Sequence, residues 1–295
     1  MGKNFSPLVF IRLTSIPSML VPDIRPIILK KLSFILLTYN LFIHIMSFNI
    51  PKTETAYENS EAIDKLSVKN GLKLLINDQR EGLNILNLLI DDIEFIVEKI
   101  FSHLNESSHG RLIYCGAGTS GRIGVQDGVE LYPTFGWPTR RVDFLLAGGK
   151  KALVKSIENV EDDIISPKTL VEKKKINKND IVIGLAASGN TPFTCEVLKN
   201  ALSSKALTLA ISNNPQGKIL KYGALNLVID SKSEVIAGST RLKAGTLQKV
   251  CLNIISSMVM IKMGNVKDGM MINLIPNNDK LKRRKERITK LINNS

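Results

Sequence analysis

The spacing of apolar residues changes near residue 105 and divides the chain into two regions. Between residues 60 and 105 apolar side chains recur at steps of three and four, as in Leu83, Leu86, Leu89 and Ile93. This spacing places them on one face of a helix, so the sequence predicts N-terminal helices here. After residue 105, short apolar runs alternate with amphipathic stretches, which is typical of strands followed by helices.

Five of the short apolar runs predict buried strands. They cover residues 112–115, 142–147, 180–187, 206–212 and 225–230, and the predicted helices cover 121–131, 150–158, 192–203 and 243–263. Strands that alternate with helices are joined by right-handed crossovers and form a parallel sheet with both faces covered. The predicted fold class is therefore α/β: a doubly wound, mainly parallel five-stranded sheet with helices on both faces, preceded by N-terminal helices.

Residues 1–46 differ from the rest of the chain. Four prolines interrupt any helix before residue 30, and residues 32–48 are mostly apolar. Three interpretations remain open: a signal anchor, a hydrophobic arm, or upstream sequence before a true start at Met46, which we favour because an ordinary polar N-terminus follows. The expected organisation is this extension, a helical segment over 47–100, the α/β domain over 101–264 and a C-terminal segment over 265–295.

The charge of the chain is concentrated at its two ends. Of the formal charge of +13, residues 1–46 carry five basic residues against one acidic and residues 280–295 carry seven against one, which leaves +3 between them. A basic tail attracts polyanions without sequence preference, so we expect no specific nucleic-acid partner. The three cysteines lack CxxC spacing and are odd in number, which favours a reducing, cytoplasmic location over a disulfide or zinc framework.

A glycine-rich loop follows the first predicted strand. Residues 116–121 read Gly-Ala-Gly-Thr-Ser-Gly, formally the GxGxxG of dinucleotide-binding proteins. That site also needs an acidic residue at the end of the second strand, where this chain has Gly148 and Gly149, with Asp143 at the beginning of the strand instead. The loop therefore argues against NAD and offers the hydroxyls of Thr119 and Ser120 at a helix N-terminus, which favours a bound anion.

A second hydroxyl loop follows the third predicted strand. Ser188, Gly189 and Thr191 precede Pro192 at the start of a helix, where Ser188 and Thr191 are also suited to cap that helix. Because loops after strands of one parallel sheet converge, the two hydroxyl loops predict a site for a small phosphomonoester. The chain has no GxxxxGK[ST], which excludes a P-loop NTPase.

Further candidates are less distinctive on their own. Residues 238–246 hold Ser239, Thr240 and Lys243, which either contact an anionic ligand or belong to the start of the last helix. All three histidines precede the sheet, so a Ser-His-Asp triad lacks a base. Acid–base chemistry would rest on carboxylates, with Glu130 and Glu161 among several candidates that spacing does not separate.

These loops resemble the phosphate-binding loops of the sugar isomerase (SIS) family. More narrowly, residues 53–288 are similar to the N-acetylmuramic acid 6-phosphate etherases, a family with motifs in common with glucokinase regulatory proteins. The strings that carry the resemblance are GRLIYCGAGTSGRIGVQDGVELYPTFG, ENVEDD, DIVIGLAASGNTPF, AISNNP and GSTRLKAGT. The chain differs from that family at Asn190, where the family often has Arg, and after residue 288, where the family continues with a small helical domain.

The resemblance implies a lyase that removes D-lactate from N-acetylmuramate 6-phosphate during cell-wall sugar recycling. It also implies a homodimer that works without a metal or other cofactor. In this chain the matching catalytic residues are Glu130, as acid, and Glu161, as base, and the phosphate would be bound by Thr119, Ser120, Ser188, Gly189 and Thr191. Two alternatives remain: a non-catalytic sugar-phosphate-binding regulatory protein and a sugar-phosphate isomerase on the same fold.

Overall fold

The structure is a computed structural model that describes residues 51–57, 61–276 and 279–293; the interpretations of residues 1–46 lie outside these ranges. The described residues form seven α-helices and seven strands, with short 3-10 turns between them. The helices are α1 Val68–Asn87, α2 Ile90–Glu106, α3 Gly118–Phe135, α4 Ser166–Lys173, α5 Pro192–Ser203, α6 Lys243–Lys262 and α7 Asp279–Asn293. The strands are β1 Leu112–Gly116, β2 Val142–Leu146, β3 Ile181–Ala186, β4 Leu207–Ser212, β5 Leu225–Val228, β6 Val266–Lys267 and β7 Met270–Met271.

Five strands form one parallel sheet in the order β2-β1-β3-β4-β5. Gly116, the last residue of β1, lies between Leu146 of β2 and Leu185 of β3. The chain leaves β1 toward one edge of the sheet and returns to β3 on the other side, so a topological switch point lies between these two strands. Ligands of doubly wound sheets bind at such a point, outside the carboxyl ends of the strands.

Helices cover both faces of the sheet and enclose two apolar cores. One core joins the sheet to α1, α2, α3 and α6, and the other joins it to α4 and α5. Helix α6 is the one described helix whose length and composition would suffice to cross a membrane, but 56% of that apolar stretch is buried inside the protein. Because Leu247, Cys251 and Ile255 of α6 belong to the first core, its apolar character is explained by packing.

The predicted fold class and all five strands are confirmed, the latter within two residues at each end. Helix α3 begins three residues earlier than predicted, which places the second half of the glycine loop in its first turn. The helix predicted over residues 150–158 is wrong: a 3-10 turn over Gly149–Leu153 is followed by irregular chain. Gly148 and Gly149 both have left-handed φ angles, and only Ala152 of that turn is buried. The sequence did not predict α4, α7 or the β6–β7 hairpin.

A short N-terminal segment, residues 51–55, lies against the loop that follows β5; we call it the strap. Its 3-10 turn Lys52–Glu54 is fixed at two points. The Lys52 ammonium pairs with Asp230 at 3.1 Å, and the backbone oxygen of the fully buried Thr53 accepts a hydrogen bond from the Gly238 N–H at 2.9 Å. The strap therefore connects the start of the described chain to the carboxyl-terminal edge of the sheet.

Candidate functional site

A cavity of about 400 Å³ opens at the carboxyl ends of the strands. It is bounded by the loops after β1, β2, β3 and β5 and by the strap. The lining residues are Glu54, Ala117, Gly118, Thr119, Ser120, Glu161, Asp162, Ala187, Ser188, Asn190, Thr191, Pro192, Gly238 and Thr240. The cavity therefore contains both predicted hydroxyl loops and lies at the switch point of the sheet.

The first hydroxyl loop is held by close backbone packing. A Cβ atom at Gly121 would lie 2.3 Å from Leu146 Cδ1 and 2.7 Å from the Gly116 oxygen, so only glycine fits there. This contact brings the first turn of α3 against the end of β1. Thr119 and Ser120 lie in that turn and line the cavity, where free N–H groups and the helix dipole favour an anion.

The second hydroxyl loop leaves the Thr191 hydroxyl free to meet a ligand. Thr191 occupies the N-cap position of α5, yet its side chain makes no capping hydrogen bond. Ser188 Oγ accepts a hydrogen bond from the Asn190 N–H at 3.2 Å and thus stabilises the loop itself. Gly189 has a φ of +70° and contacts the backbone of Gly217, which excludes a side chain. Of the two alternatives that the sequence left open for these hydroxyls, capping of α5 by a side-chain hydrogen bond is not observed, although Thr191 occupies the N-cap position.

Two carboxylates reach the cavity from the loop after β2. Glu161 and Asp162 lie in the 3-10 turn Val160–Asp162 and line the cavity. The third acid of the segment, Asp163, accepts hydrogen bonds from the hydroxyl and N–H of Ser166 and from the Ile165 N–H at the start of α4, and these bonds lower its pKa. Asp163 thus anchors the segment, while its two neighbours remain available to a ligand.

Glu130 does not lie in this cavity. It is an exposed residue of α3, eleven positions after Thr119, and is absent from the cavity lining. At 1.5 Å per helical residue, the two positions are about 16 Å apart along the helix axis. Within the described part of a single chain, Glu161 therefore lines the cavity and Glu130 lies outside it.

The polar residues that the sequence analysis singled out within residues 238–246, at the start of α6, contribute less to the cavity than expected. Thr240 lines the cavity, but Ser239 and Lys243 do not. The Lys243 ammonium is buried and directed away, with Asp78 Oδ1 of α1 at 2.6 Å and the Ser233 oxygen at 2.8 Å.

Glu234, rather than Ser239 or Thr240, satisfies the start of α6. Its two carboxylate oxygens accept the Lys243 and Ala244 N–H groups at 3.0 and 2.8 Å. Burial raises the pKa of Glu234, and these two hydrogen bonds oppose that rise. The carboxylate thus holds the loop between β5 and α6, which carries Gly238 and Thr240.

Glu54 is the cavity residue that sequence reasoning missed. Its carboxylate lies over Gly238, where a Cβ atom would approach Glu54 Oε2 to 2.8 Å. Gly238 also has a φ of +74°, so both the close contact with Glu54 and the backbone conformation favour glycine at this position. The strap has no helical or strand periodicity, and Glu54 lies far from the other cavity residues in sequence, so the pattern contained no signal for it.

The cavity offers neutral and negative groups to a ligand. None of its lining residues is Lys, Arg or His, so hydroxyls, amides and two helix N-termini are the groups available to an anion. Among the described residues, no group of three His, Cys, Asp or Glu side chains is arranged to hold a metal ion.

Three comparisons relate the chain to known proteins. A family model, the glucokinase regulatory protein N-terminal SIS domain, matches residues 95–202. N-acetylmuramic acid 6-phosphate etherase 2 of Enterococcus faecalis is 39% identical over 236 residues, which cover 80% of this chain and 79% of that protein. The etherase of Bacillus mycoides is 41% identical over 236 residues, or 80% of each chain.

Solved structures show the same fold at low sequence identity. A Bacteroides fragilis protein described as a candidate phosphosugar isomerase has a TM-score of 0.52 and 18% identity over 69% of this chain and 95% of that one. A protein of Escherichia coli CFT073, solved in complex with a ligand, has a TM-score of 0.50 and 15% identity over 69% and 97% of the two chains.

The sheet order, the two loops at the switch point and the matched domain define a SIS-type α/β protein. The sequence identity of about 40% to the two etherases, over about four fifths of each chain, identifies a family within this class. The chain belongs to the N-acetylmuramic acid 6-phosphate etherase family.

Proposed function

We propose that the protein cleaves the lactyl ether of N-acetylmuramic acid 6-phosphate and releases D-lactate and N-acetylglucosamine 6-phosphate. Membership of the etherase family supports the substrate. The single observation that carries the proposal is the composition of the cavity, where two hydroxyl loops at helix N-termini lie beside the carboxylate of Glu161. One cavity thus offers both an anion site and a base.

The phosphate is bound in this proposal by the two hydroxyl loops. Thr119 and Ser120 donate from the first turn of α3, and Ser188 and Thr191 donate from the loop before α5. Backbone N–H groups of both helix N-termini complete the set, whereas the Gly189 N–H is already donated to the Ala186 oxygen at 3.0 Å. Thr240 is our remaining candidate for a contact to the sugar, whereas the buried ion pair of Lys243 withdraws that side chain from the substrate.

Glu161 is our candidate for the base. In the open-chain form of the sugar, the aldehyde at C1 acidifies the C2 proton, which a carboxylate within reach can remove. Departure of the lactyl oxygen from C3 then forms the C2–C3 double bond, and addition of water at C3 gives the product. An acid must protonate the departing oxygen, and positioned acids and bases contribute about 10²–10⁴-fold each.

We also propose that the chain forms a homodimer in a reducing, cytoplasmic compartment and has no specific nucleic-acid partner. Its cysteines, Cys115, Cys195 and Cys251, are free and buried. Burial raises the pKa of Cys195 to about 11, so this thiol stays protonated at neutral pH and resists oxidation.

The decisive measurement is release of D-lactate from N-acetylmuramic acid 6-phosphate by the full chain. We expect turnover by the wild type and a loss of at least 100-fold in Glu161→Gln, which keeps the size of the side chain but removes the base. Glu94→Gln changes an exposed residue of α2 and should retain wild-type turnover.

Other outcomes would assign the protein differently. Thermal stabilisation by the sugar phosphate without lactate release would identify a sugar-phosphate-binding regulatory protein, because binding to the folded state raises stability by mass action. Ketose–aldose interconversion without lactate would identify an isomerase. Equal lactate release by the wild type and Glu161→Gln would remove Glu161 from the mechanism.

A further inference from the structure

A second cavity, of about 360 Å³, adjoins the first at the carboxyl end of the sheet. It lies between the start of α3 and the loop after β2, and it shares Ala117, Gly118 and Glu161 with the first cavity. A Cβ atom at Gly118 would meet no other atom within 4 Å, so the space over this residue is open. The two cavities therefore meet at Gly118, and the proposed base Glu161 lies in the wall of both.

The loop after β2 forms most of the wall of this second cavity. Instead of the predicted helix, the chain folds around Gly148, where Ile157 and Val160 lie 3.1 and 3.4 Å from the position of a Cβ atom. Both residues line the second cavity. Asn159, with a left-handed φ of +62°, then leads into the 3-10 turn that carries Glu161. The irregular chain thus encloses a space directly beside the proposed base.

Arg122 is the one Lys, Arg or His among the described residues that line the two cavities. It follows Gly118 by one turn of α3 and lies on the same face of that helix. Its Nε and Nη2 groups donate to the backbone oxygens of Ala152 and Lys155 at 2.9 and 3.1 Å. Within the described residues Nη1 donates no hydrogen bond and the side chain forms no ion pair. The guanidinium is therefore fixed in position and still able to bind an anion.

The substrate of the proposed reaction carries two anionic groups. Its phosphate is bound, in that proposal, by the hydroxyl loops of the first cavity, whose lining contains no cation. Its lactyl group carries a carboxylate and is joined through oxygen to C3, next to the carbon from which Glu161 takes a proton. Because Glu161 lies in the wall of both cavities, a sugar with its phosphate in the first cavity and C2 at Glu161 has C3 at the entrance of the second.

We infer that the second cavity is the subsite for the lactyl group and that Arg122 binds the carboxylate of that group. This inference rests on the proposed etherase function, and it leaves Glu161 and Glu130 in their predicted parts as base and acid. Guanidinium groups suit carboxylates because their N–H groups form planar, charge-assisted pairs with the two oxygens. Arg122 also offsets the negative charge of Glu161 and of Glu158, an exposed residue of the same lining.

The experiment compares N-acetylmuramic acid 6-phosphate with its lactamide analogue, in which a neutral amide of similar size replaces the carboxylate. Formation of N-acetylglucosamine 6-phosphate is measured for both substrates with the full-length wild type, Arg122→Gln and Arg122→Lys. We expect the wild type to favour the carboxylate substrate at least about tenfold in kcat/KM, because hydrogen bonds between charged groups contribute more than neutral ones. Arg122→Gln should reduce this preference to about threefold or less, and Arg122→Lys, which keeps the charge, should retain part of it.

Two results would overturn the inference. Equal kcat/KM of the wild type for both substrates would show that no cation binds the carboxylate. An equal loss of kcat/KM on both substrates in Arg122→Gln would show that Arg122 only holds the loop through Ala152 and Lys155, since that role does not depend on the leaving group. The wild-type comparison and Arg122→Lys decide the matter even if Arg122→Gln does not fold.

Arg140→Gln is the matched control. Arg140 is an exposed residue of the 3-10 turn before β2, at the opposite end of that strand from the loop that carries Glu161. The variant removes the same charge and should keep the wild-type preference; loss of the preference there would trace it to long-range charge and overturn the inference. No product from either substrate with the wild type would refute the proposed function, and the lactyl subsite with it. An active wild type without the preference would refute the subsite alone.

Discussion

The hydroxyl of Thr191 lies at the N-terminus of α5 but makes no hydrogen bond to that helix. Helices usually use a threonine at this position to satisfy one of their free N–H groups. Here the free N–H groups and the hydroxyl share the wall of the cavity. We therefore expect this hydroxyl to bind a ligand rather than to stabilise the helix.

Thr191→Val should weaken binding of N-acetylglucosamine 6-phosphate, measured by calorimetric titration. The variant keeps the shape of the side chain and removes a hydrogen bond to a charged phosphate, a contribution of about 1.5–3 kcal/mol. Since 1.4 kcal/mol is a factor of ten, we expect at least about tenfold weaker binding.

Thr194→Val is the matched control for Thr191→Val. Thr194 is fully buried one turn further along α5, and its Oγ1 has no hydrogen-bond partner among the described residues. Removal of that hydroxyl should leave affinity unchanged. Equal affinity of Thr191→Val and wild type would exclude Thr191 from the phosphate site.

The positions of residues directly after strands could be predicted from the sequence. The positions of residues that are distant in sequence and reach the cavity only through tertiary contacts could not. Ser188 and Thr191 follow a continuous apolar run, so their place at the sheet edge could be read from the pattern. Glu54 belongs to a segment without periodicity and meets Gly238 across more than 180 residues. Glu130 was assigned through a motif match, and it lies on an exposed part of α3 outside the cavity lining of a single chain, so its catalytic role stays a prediction.

At the scale of elements, α1 is attached to α6 through a buried ion pair. The side chains of Asp78 and Lys243 are 2% and 8% exposed, and the Lys243 stem fills the space over Gly82. A glycine is needed in α1 there because a Cβ atom would approach Lys243 Cγ to 2.8 Å. The pair thus fixes the N-terminal helix against the start of α6, next to the loop that lines the cavity.

Lys243→Met should lower the free energy of unfolding by about 3–5 kcal/mol in urea titrations, since it leaves the Asp78 charge buried and unpaired. Lys262→Met, near the other end of α6, breaks the exposed pair with Glu98 and should cost no more than about 1 kcal/mol. The double variant Asp78→Leu/Lys243→Met should regain part of the loss. Equal effects of the two single variants would contradict this account.

Strands were predicted more accurately than helices because buried parallel strands are continuous apolar runs with few alternatives. Helix α4, only eight residues long, has too few turns to show a clear period. In the stretch after Gly149, by contrast, the sequence predicted a helix that the structure does not contain. Its composition suits a helix, but two left-handed glycines and a mostly exposed turn leave no face to bury.

At the scale of the whole molecule, the surface of α6 bears on the predicted homodimer. Ile254, Met258 and Ile261 are about 40% exposed and follow one another at steps of four and three, so they share one face of the helix. Light scattering should give about twice the chain mass of 32.6 kDa. Met258→Glu should reduce that mass, whereas Val154→Glu, at an exposed loop position, should not. A single-chain mass for the wild type would refute the dimer.

The attachment of the strap has a consequence for biosynthesis. Lys52 leaves the ribosome early, but its partner Asp230 is made 178 residues later, and Gly238 follows after that. Until Asp230 and Gly238 have been synthesised, the strap that carries Glu54 has no partner to contact, even if the first strands have already paired. The strap can thus attach only after most of the chain has been synthesised, so the wall of the cavity that it forms is completed late in translation.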